Sequence, residues 1–142
     1  GLSSVEHVSG WRAEGAFRIT FDDRNTSYWP HVLIVKYETS ARAEIEFVNR
    51  RTHFFSEGVY SVTAWLDYPS EMEPLQADQF EVRCQLTHIL NETTPTKMCA
   101  FWSRYDACLL SLTTIIRDED VDFASFEMAI RGIDHVVSCD DK

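Results

Sequence analysis

Alternation between apolar and polar residues is the feature that most constrains how this chain can fold. Its clearest instance lies at residues 79–86, where Phe80, Val82, Cys84 and Leu86 alternate with polar side chains. Successive side chains of a strand point to opposite sides of a sheet, so this pattern indicates a strand with one buried face. Similar patterns predict strands at residues 17–21, 43–47, 59–66 and 133–137, and the apolar runs 32–37 and 108–116 predict strands buried on both faces.

The number and spacing of these segments predict the fold class. Turn-forming residues separate them, and about eight or nine short strands at this spacing are typical of two packed antiparallel sheets. The chain is therefore expected to be all-β, an antiparallel two-sheet β-sandwich of the immunoglobulin-like or jelly-roll-like kind. One segment is ambiguous, because residues 123–130 fit either a strand or a short amphipathic helix. With no internal repeat and no linker, residues 1–142 are predicted to form a single β-sandwich domain.

Charge and hydropathy narrow the classes of partner. The chain carries 23 acidic and 13 basic side chains, a net charge of −10. Nucleic-acid phosphates and anionic membranes are repelled by such a surface, so neither is an expected partner. No apolar run approaches the ~20 residues that cross a bilayer, and no membrane insertion is expected. The acidity either keeps the domain soluble or steers a basic protein partner towards it.

Cysteines and glycosylation sequons both indicate the secretory pathway. Cys84, Cys99, Cys108 and Cys139 contain no C-x-x-C pair, which disfavours structural zinc, and an even number favours two disulfides of undetermined pairing. All four lie beyond residue 83, so the C-terminal part is the part expected to be disulfide-stabilised. Two of the three asparagines, Asn25 and Asn91, open N-x-[Ser/Thr] glycosylation triplets within turn-like stretches. The chain is therefore predicted to be secreted and glycosylated, the alternative being a cytosolic protein with free thiols.

No catalytic or cofactor signature appears in the sequence. The nucleophile elbow, the zinc-protease motif, the phosphate-binding loop and the dinucleotide fingerprint are all missing. The densest carboxylate cluster, at residues 118–122, lacks the glycine of a calcium loop and is interpreted as a solvated turn. We therefore predict no enzymatic activity, no cofactor and no metal.

Tryptophans near strand ends are the strongest candidates for ligand contact. Trp11 precedes the first confident strand, and Trp65 ends a strand and is followed by a loop-like stretch that contains Asp67. An indole exposed in this way can stack on the apolar face of a sugar while neighbouring polar groups bind its hydroxyls. The alternative is that both indoles cover an open end of the sandwich.

Several segments resemble family 2 carbohydrate-binding modules, which are cellulose- and xylan-binding β-sandwiches. Residues 11–19 (WRAEGAFRI) look like that family's opening W-x-x-G-F strand, and residues 58–65 (GVYSVTAW) look like its later strand ending in an exposed tryptophan. Trp29 with the run 32–37 is similar to that family's buried tryptophan strand. Residues 44–49 are similar to its W-N strand, with Phe47 in the tryptophan's place, and residues 80–82 are similar to its closing strand. The likeness covers residues 10–86.

This resemblance implies a flat aromatic face. Trp11, Phe47 and Trp65 would stack on a polysaccharide, and Asp67 would supply a hydrogen bond beside them. The predicted function is a secreted, non-catalytic recognition module for a polysaccharide or glycan. Two other interpretations remain: an extracellular protein-binding ectodomain, of the adhesion, gamete-recognition or host-interaction kind, with an acidic surface for a basic partner, and a lipid-binding sandwich with aromatics lining a cavity between its sheets.

Overall fold

The protein forms one antiparallel seven-stranded sheet with a helix packed on each face. The computed structural model describes residues 2–21, 30–69, 71–72, 74–88, 93–117 and 122–139. The strands are β1 (Leu2–His7), β2 (Gly15–Phe21), β3 (His31–Lys36), β4 (Leu66–Asp67), β5 (Gln79–Thr87), β6 (Thr96–Tyr105) and β7 (Cys108–Ile116). The helices are α1 (Ser40–Phe54) and α2 (Phe123–Val136). Across the sheet the strand order is β1-β2-β3-β7-β6-β5-β4.

The alternation of side chains across the sheet creates two separate cores. On β3, Leu33 and Val35 belong to the core on the α1 face, while Val32 belongs to the core on the α2 face. On β6, Trp102 lies on the α1 face and Phe101 on the α2 face, and neither is exposed. All nine residues of β7 are buried, because β7 is the middle strand and both of its faces are covered. The expectations for 32–37 and 108–116 are therefore confirmed.

Helix α1 replaces the strand predicted at residues 43–47. The Thr39 side chain caps its first turn by accepting a hydrogen bond from the Arg42 amide (3.1 Å). Ala43 and Phe47, four residues apart, face the core, whereas Ile45 between them is 54% exposed. The strand prediction was wrong because three alternating apolar residues occupy two sides of a helix, and only one side finds a core.

Helix α2 replaces the strands predicted at residues 123–130 and 133–137, so the helical alternative is correct for the first of them. Phe126 and Ile130 are buried at helical spacing against the sheet. Asp134 fixes the last turns by accepting the Tyr105 hydroxyl (2.8 Å) and the amides of Gln76 (2.9 Å) and Ala77 (3.2 Å). Burial, together with the hydrogen bond to Asp134, raises the pKa of Tyr105.

Two strands were missed from the sequence, and one was overextended. Strand β1 pairs at one edge of the sheet, and β6 lies between β5 and β7. The predicted strand 59–66 is mostly irregular: it contributes a single bridge between Ser61 and Thr87, and β4 begins only at Leu66.

The described residues therefore do not form the predicted two-sheet sandwich, since helices rather than a second sheet cover the single sheet. The β-rich antiparallel character and the two disulfides are confirmed. Cys84–Cys99 joins paired positions of β5 and β6, and Cys108–Cys139 joins the start of β7 to the segment after α2. Among the described residues, neither helix is long and apolar enough to span a membrane.

Candidate functional site

The connection between β1 and β2 turns sharply around Trp11. Gly10 has φ +91° and Arg12 has φ 52°, both in the left-handed region. Glycine adopts this region without a steric cost, which explains its place just before the indole. The reversal directs the Trp11 side chain inwards, where it is half-buried against the core on the α1 face.

Arg50 of α1 holds this turn in place. Its Nη2 donates to the carbonyl oxygens of Gly10 and Trp11, each at 3.3 Å, and its Cζ lies 4.3 Å from the centroid of the Trp11 ring. Its Nε donates to Glu46 at 2.7 Å, and Glu46 also pairs with Arg42 at 3.1 Å. A guanidinium held at several points in this way has a fixed orientation.

The turn, the C-terminal half of α1 and strands β2, β3 and β7 surround a cavity of about 430 Å³, which we call the Trp11 cleft. Leu33 and Ser111 of the sheet line it together with Phe54 of α1. Phe54 is half-buried and stacks on Trp102 with ring centroids 4.8 Å apart. The volume falls within the ~300–1,000 Å³ range of small-molecule sites, and an apolar base with polar groups around it is typical of them.

Among the described residues, the ionisable side chains that line the Trp11 cleft are all basic. They are Arg18 of β2, His31 of β3, and Arg50 and His53 of α1. Arg18 is paired with Glu6 at 3.4 Å, but both side chains are about half exposed to solvent. Such an exposed pair contributes little binding energy and leaves the guanidinium accessible to another anion.

Trp11, Phe47 and Trp65 lie in or against the same core on the α1 face, but the structure does not bring the four predicted ligand-binding residues together at one exposed surface. Trp11 lies beside β2, whereas Trp65 and Asp67 lie beside β5. Helix α1 packs over β6 and β7 and so separates the two positions. Strands β2 and β4 are five strand spacings apart, about 24 Å. The single flat aromatic face implied by the resemblance is therefore not formed.

Phe47 occupies the core, where no ligand reaches it. It is only 3% exposed and stacks on Trp102 with centroids 5.9 Å apart and an interplanar angle of 13°. Its carbonyl oxygen accepts the Trp102 indole N–H at 3.2 Å. A residue predicted at the surface of a strand is thus interior because α1 is a helix.

Trp65 and Asp67 occupy different environments. Trp65 is half-buried, packs edge-on against Phe55 (centroids 5.4 Å apart) and donates its indole N–H to the Ser56 carbonyl at 3.2 Å. Asp67 is exposed and lines another cavity, of about 350 Å³, together with Leu66 and Lys97, among others. Trp65 does not line that cavity, so these two residues do not form one site.

A second surface, which we call the 59–66 edge, carries an unusual number of exposed apolar side chains. Val59 is 95% exposed, Leu66 60%, Tyr60 57% and Val62 46%, and Leu86 of β5 adds 37%. Backbone bonds hold this segment along the end of β5, including those from the Val62 amide to the Leu86 carbonyl (2.8 Å) and from the His88 amide to the Tyr60 carbonyl (2.8 Å). Exposed apolar patches of this kind commonly mark interaction surfaces.

The sequence reasoning missed Arg18, Arg50 and His53 as site residues. Arg50 and His53 lie on α1. Because the start of this helix was predicted as the strand 43–47, nothing in the sequence indicated that these two residues lie near Trp11. The helical spacing of Ala43, Phe47 and Phe54 after the Thr39 cap was the signal that would have placed them.

The remaining predicted site residues concern modification. Both predicted glycosylation residues, Asn25 and Asn91, lie outside the described residues. The four cysteines form two disulfides, and no described cysteine is free.

Nothing in the described part of the chain points positively to catalysis. Residues 2–21, 30–69, 71–72, 74–88, 93–117 and 122–139 contain no group of three or more His, Cys, Asp or Glu side chains placed to hold a metal ion. Most of the carboxylate cluster at 118–122 lies outside these ranges, and the one described member, Asp122, caps α2. The arrangement at the Trp11 cleft is suited to binding.

Comparisons with protein-family models, with curated proteins and with solved structures found no match to this chain. The resemblance to family 2 carbohydrate-binding modules therefore stays a prediction, and functional inference depends on the geometry of the molecule.

Proposed function

We propose that this protein is a secreted, non-catalytic recognition domain that binds a glycan in the Trp11 cleft. The observation that carries this proposal is the position of the half-buried indole. It lies in a cavity of about 430 Å³, where an apolar ring surface stands beside fixed hydrogen-bonding groups.

The cleft offers both kinds of contact that a sugar needs. Trp11 and Phe54 present aromatic surface to the C–H face of a pyranose ring. Ser9 and Ser111 offer hydroxyls, and Arg18 offers N–H donors, for the sugar's oxygen atoms. Because Arg50 already holds the loop against the helix, little conformational entropy is lost on binding.

The two disulfides support an extracellular location. Such bonds persist in oxidising compartments and are rare in the cytosol. The glycan-binding role and secretion are therefore compatible, since most polysaccharides and glycan chains lie outside the cell.

A glycan array followed by NMR titration of the disulfide-bonded protein tests this function. We expect Trp11→Ala to abolish binding of the best glycan, and Trp65→Ala, a matched change on the other side of α1, to leave its affinity within about twofold. Circular dichroism checks that each variant is folded. If Trp65→Ala lost glycan binding while Trp11→Ala kept it, the binding site would lie at the other edge of the sheet, beside Trp65.

A second candidate function, recognition of an extracellular protein, is favoured by the 59–66 edge. Val59, Tyr60 and Leu66 are each more than half exposed on an irregular edge segment, where a partner can cover them. The acidic net charge of −10 favours a basic partner. In a binding screen against immobilised extracellular proteins, a triple Val59→Ser, Tyr60→Ser, Leu66→Ser variant distinguishes this candidate. It would lose a protein partner while keeping glycan binding.

The third interpretation, a lipid held between two sheets, has no support in the described residues. Helix side chains fill the interior on both faces of the single sheet, with Phe47 packed on one face and Phe126 on the other.

A further inference from the structure

We infer that the glycan recognised by the Trp11 cleft carries an acidic group, a carboxylate or a sulfate. This inference rests on the proposed function and specifies its ligand class. It goes beyond the resemblance to cellulose- and xylan-binding modules, which implies a polysaccharide stacked on a flat aromatic face.

The first observation is the sign of the charge in the cleft. The whole chain has ten more acidic than basic side chains, yet none of the described residues lining the Trp11 cleft has a carboxylate. Two arginines and two histidines line it instead. A local concentration of bases in an acidic protein creates a positive potential at one site, and the surrounding surface repels anions elsewhere.

The second observation is that neighbouring carboxylates only partly neutralise the arginines in and beside the cleft. Glu46 is shared between Arg42 (3.1 Å) and Arg50 (2.7 Å), so this cluster of three keeps one positive charge. Glu6 is the acidic partner of Arg18, but their 3.4 Å contact is solvent-exposed and weak. An incoming anion can therefore displace Glu6 at little cost.

The third observation is the division of roles between the two arginines. Three of the five N–H groups of Arg50 bind Glu46 and the carbonyl oxygens of the turn, so Arg50 supplies charge and a rigid frame. Arg18 has a side chain 43% exposed, and His53 is exposed as well. Arg18 and His53 are therefore the groups placed to bind an acidic substituent while the sugar ring rests on Trp11. Guanidinium and carboxylate or sulfate form charge-assisted hydrogen bonds of matching geometry.

Calorimetry with matched oligosaccharides tests this inference. The probes are a hyaluronan tetrasaccharide (carboxylated), a heparin tetrasaccharide (carboxylated and sulfated), neutral chitotetraose and inorganic sulfate. We expect one of the acidic tetrasaccharides to bind at least ten times more tightly than chitotetraose, and the difference between the hyaluronan and heparin probes shows whether sulfate groups add to binding beyond the carboxylate. We expect Arg18→Gln to remove most of that preference, and Arg131→Gln, an exposed arginine on α2, to preserve it.

The outcomes separate this inference from the function on which it rests. Equal affinity for acidic and neutral tetrasaccharides would overturn the acidic-ligand inference and leave glycan binding standing. If inorganic sulfate bound as tightly as any tetrasaccharide and Trp11→Ala had no effect, the site would bind an anion but no sugar. That result would overturn both the acidic-ligand inference and the proposed glycan binding. Failure of every probe to bind would also overturn the inference.

Discussion

The guanidinium carbon of Arg50 lies 4.3 Å from the ring centroid of Trp11, and the same side chain binds the carbonyl oxygen of that tryptophan at 3.3 Å. One residue of α1 thus both covers and fixes the turn that closes the Trp11 cleft. Since α1 and the turn are distant in sequence, their contact is a product of the tertiary fold.

Replacing Arg50 tests whether it fixes this turn. Arg50→Leu removes three hydrogen bonds and leaves the buried Glu46 with Arg42 as its one ion-pair partner among the described residues. We expect a loss of about 1–3 kcal/mol in the free energy of unfolding, measured in urea. Arg42→Gln, which removes the other and more exposed partner of Glu46, should cost less than about 1 kcal/mol. Equal costs for the two variants would contradict the assigned role.

Gly10→Ala tests the backbone of the turn. Because Gly10 has φ +91°, a side chain there is strained even though the space around it is open. We expect a destabilisation of about 1–2 kcal/mol and weaker glycan binding. Gly58→Ala is the control, since Gly58 also has open space and does not have positive φ. A neutral Gly10→Ala would show that the turn adopts another conformation in solution.

The disulfide connectivity can be checked by peptide mapping without reduction. We expect linked peptides that pair Cys84 with Cys99 and Cys108 with Cys139, and no free thiol in the unfolded, unreduced protein. Replacing both cysteines of either bond by serine should cost about 3 kcal/mol for the 15-residue separation and slightly more for the 31-residue separation. Four reactive thiols would contradict the extracellular assignment as well.

The start of α2 should respond to acid. The hydrogen bond from the Ser125 amide to Asp122 holds the pKa of that carboxyl below its ordinary value. A lowered pKa in the folded state stabilises the protein above the unfolded value of about 4, and this contribution is lost as the pH falls through the lowered pKa. Asp122→Asn keeps a capping side chain but does not titrate. The stability difference between the two proteins should therefore change below about pH 4 and be constant from pH 5 to 7, measured by urea unfolding.

Much of the sheet could be predicted from the sequence. Strands β2, β3, β5 and β7 coincide with the predicted segments, because β2 and β5 alternate and β3 and β7 are mostly apolar. β6 was missed although it is buried over most of its length, because polar residues such as Arg104 and Ser103 interrupt its apolar pattern. Arg104 is tolerated there because it donates to Gln79 (2.7 Å) and Ser40 (3.1 Å), which are distant in sequence, and to the nearby Asp106 carbonyl (3.0 Å).

The candidate site was only partly predictable. Trp11 was identified from its position before the first confident strand, and it lines the Trp11 cleft. Phe47 was assigned to the same surface through the resemblance, which treats residues 44–49 as a strand, and the alternation of residues 43–47 agreed with that strand. Over so short a run, alternation also places Ala43 and Phe47 four residues apart, which is a helical spacing, so the two periods are hard to distinguish. Because residues 43–47 were predicted as a strand, Arg50 and His53 were not identified as site residues, since helix α1 places both of them at the cleft.

The sequence by itself determined that the chain is rich in antiparallel strands, that its cysteines pair, and that an aromatic residue stands at a turn. These properties depend on residues close together along the chain or on composition. Only the tertiary structure decided that α1 is a helix, that Phe47 is interior, and that Trp11 meets Arg18 and Arg50 around one cavity. The physical reason is that a segment buries the side that packs against another surface. Residues elsewhere in the chain provide that surface.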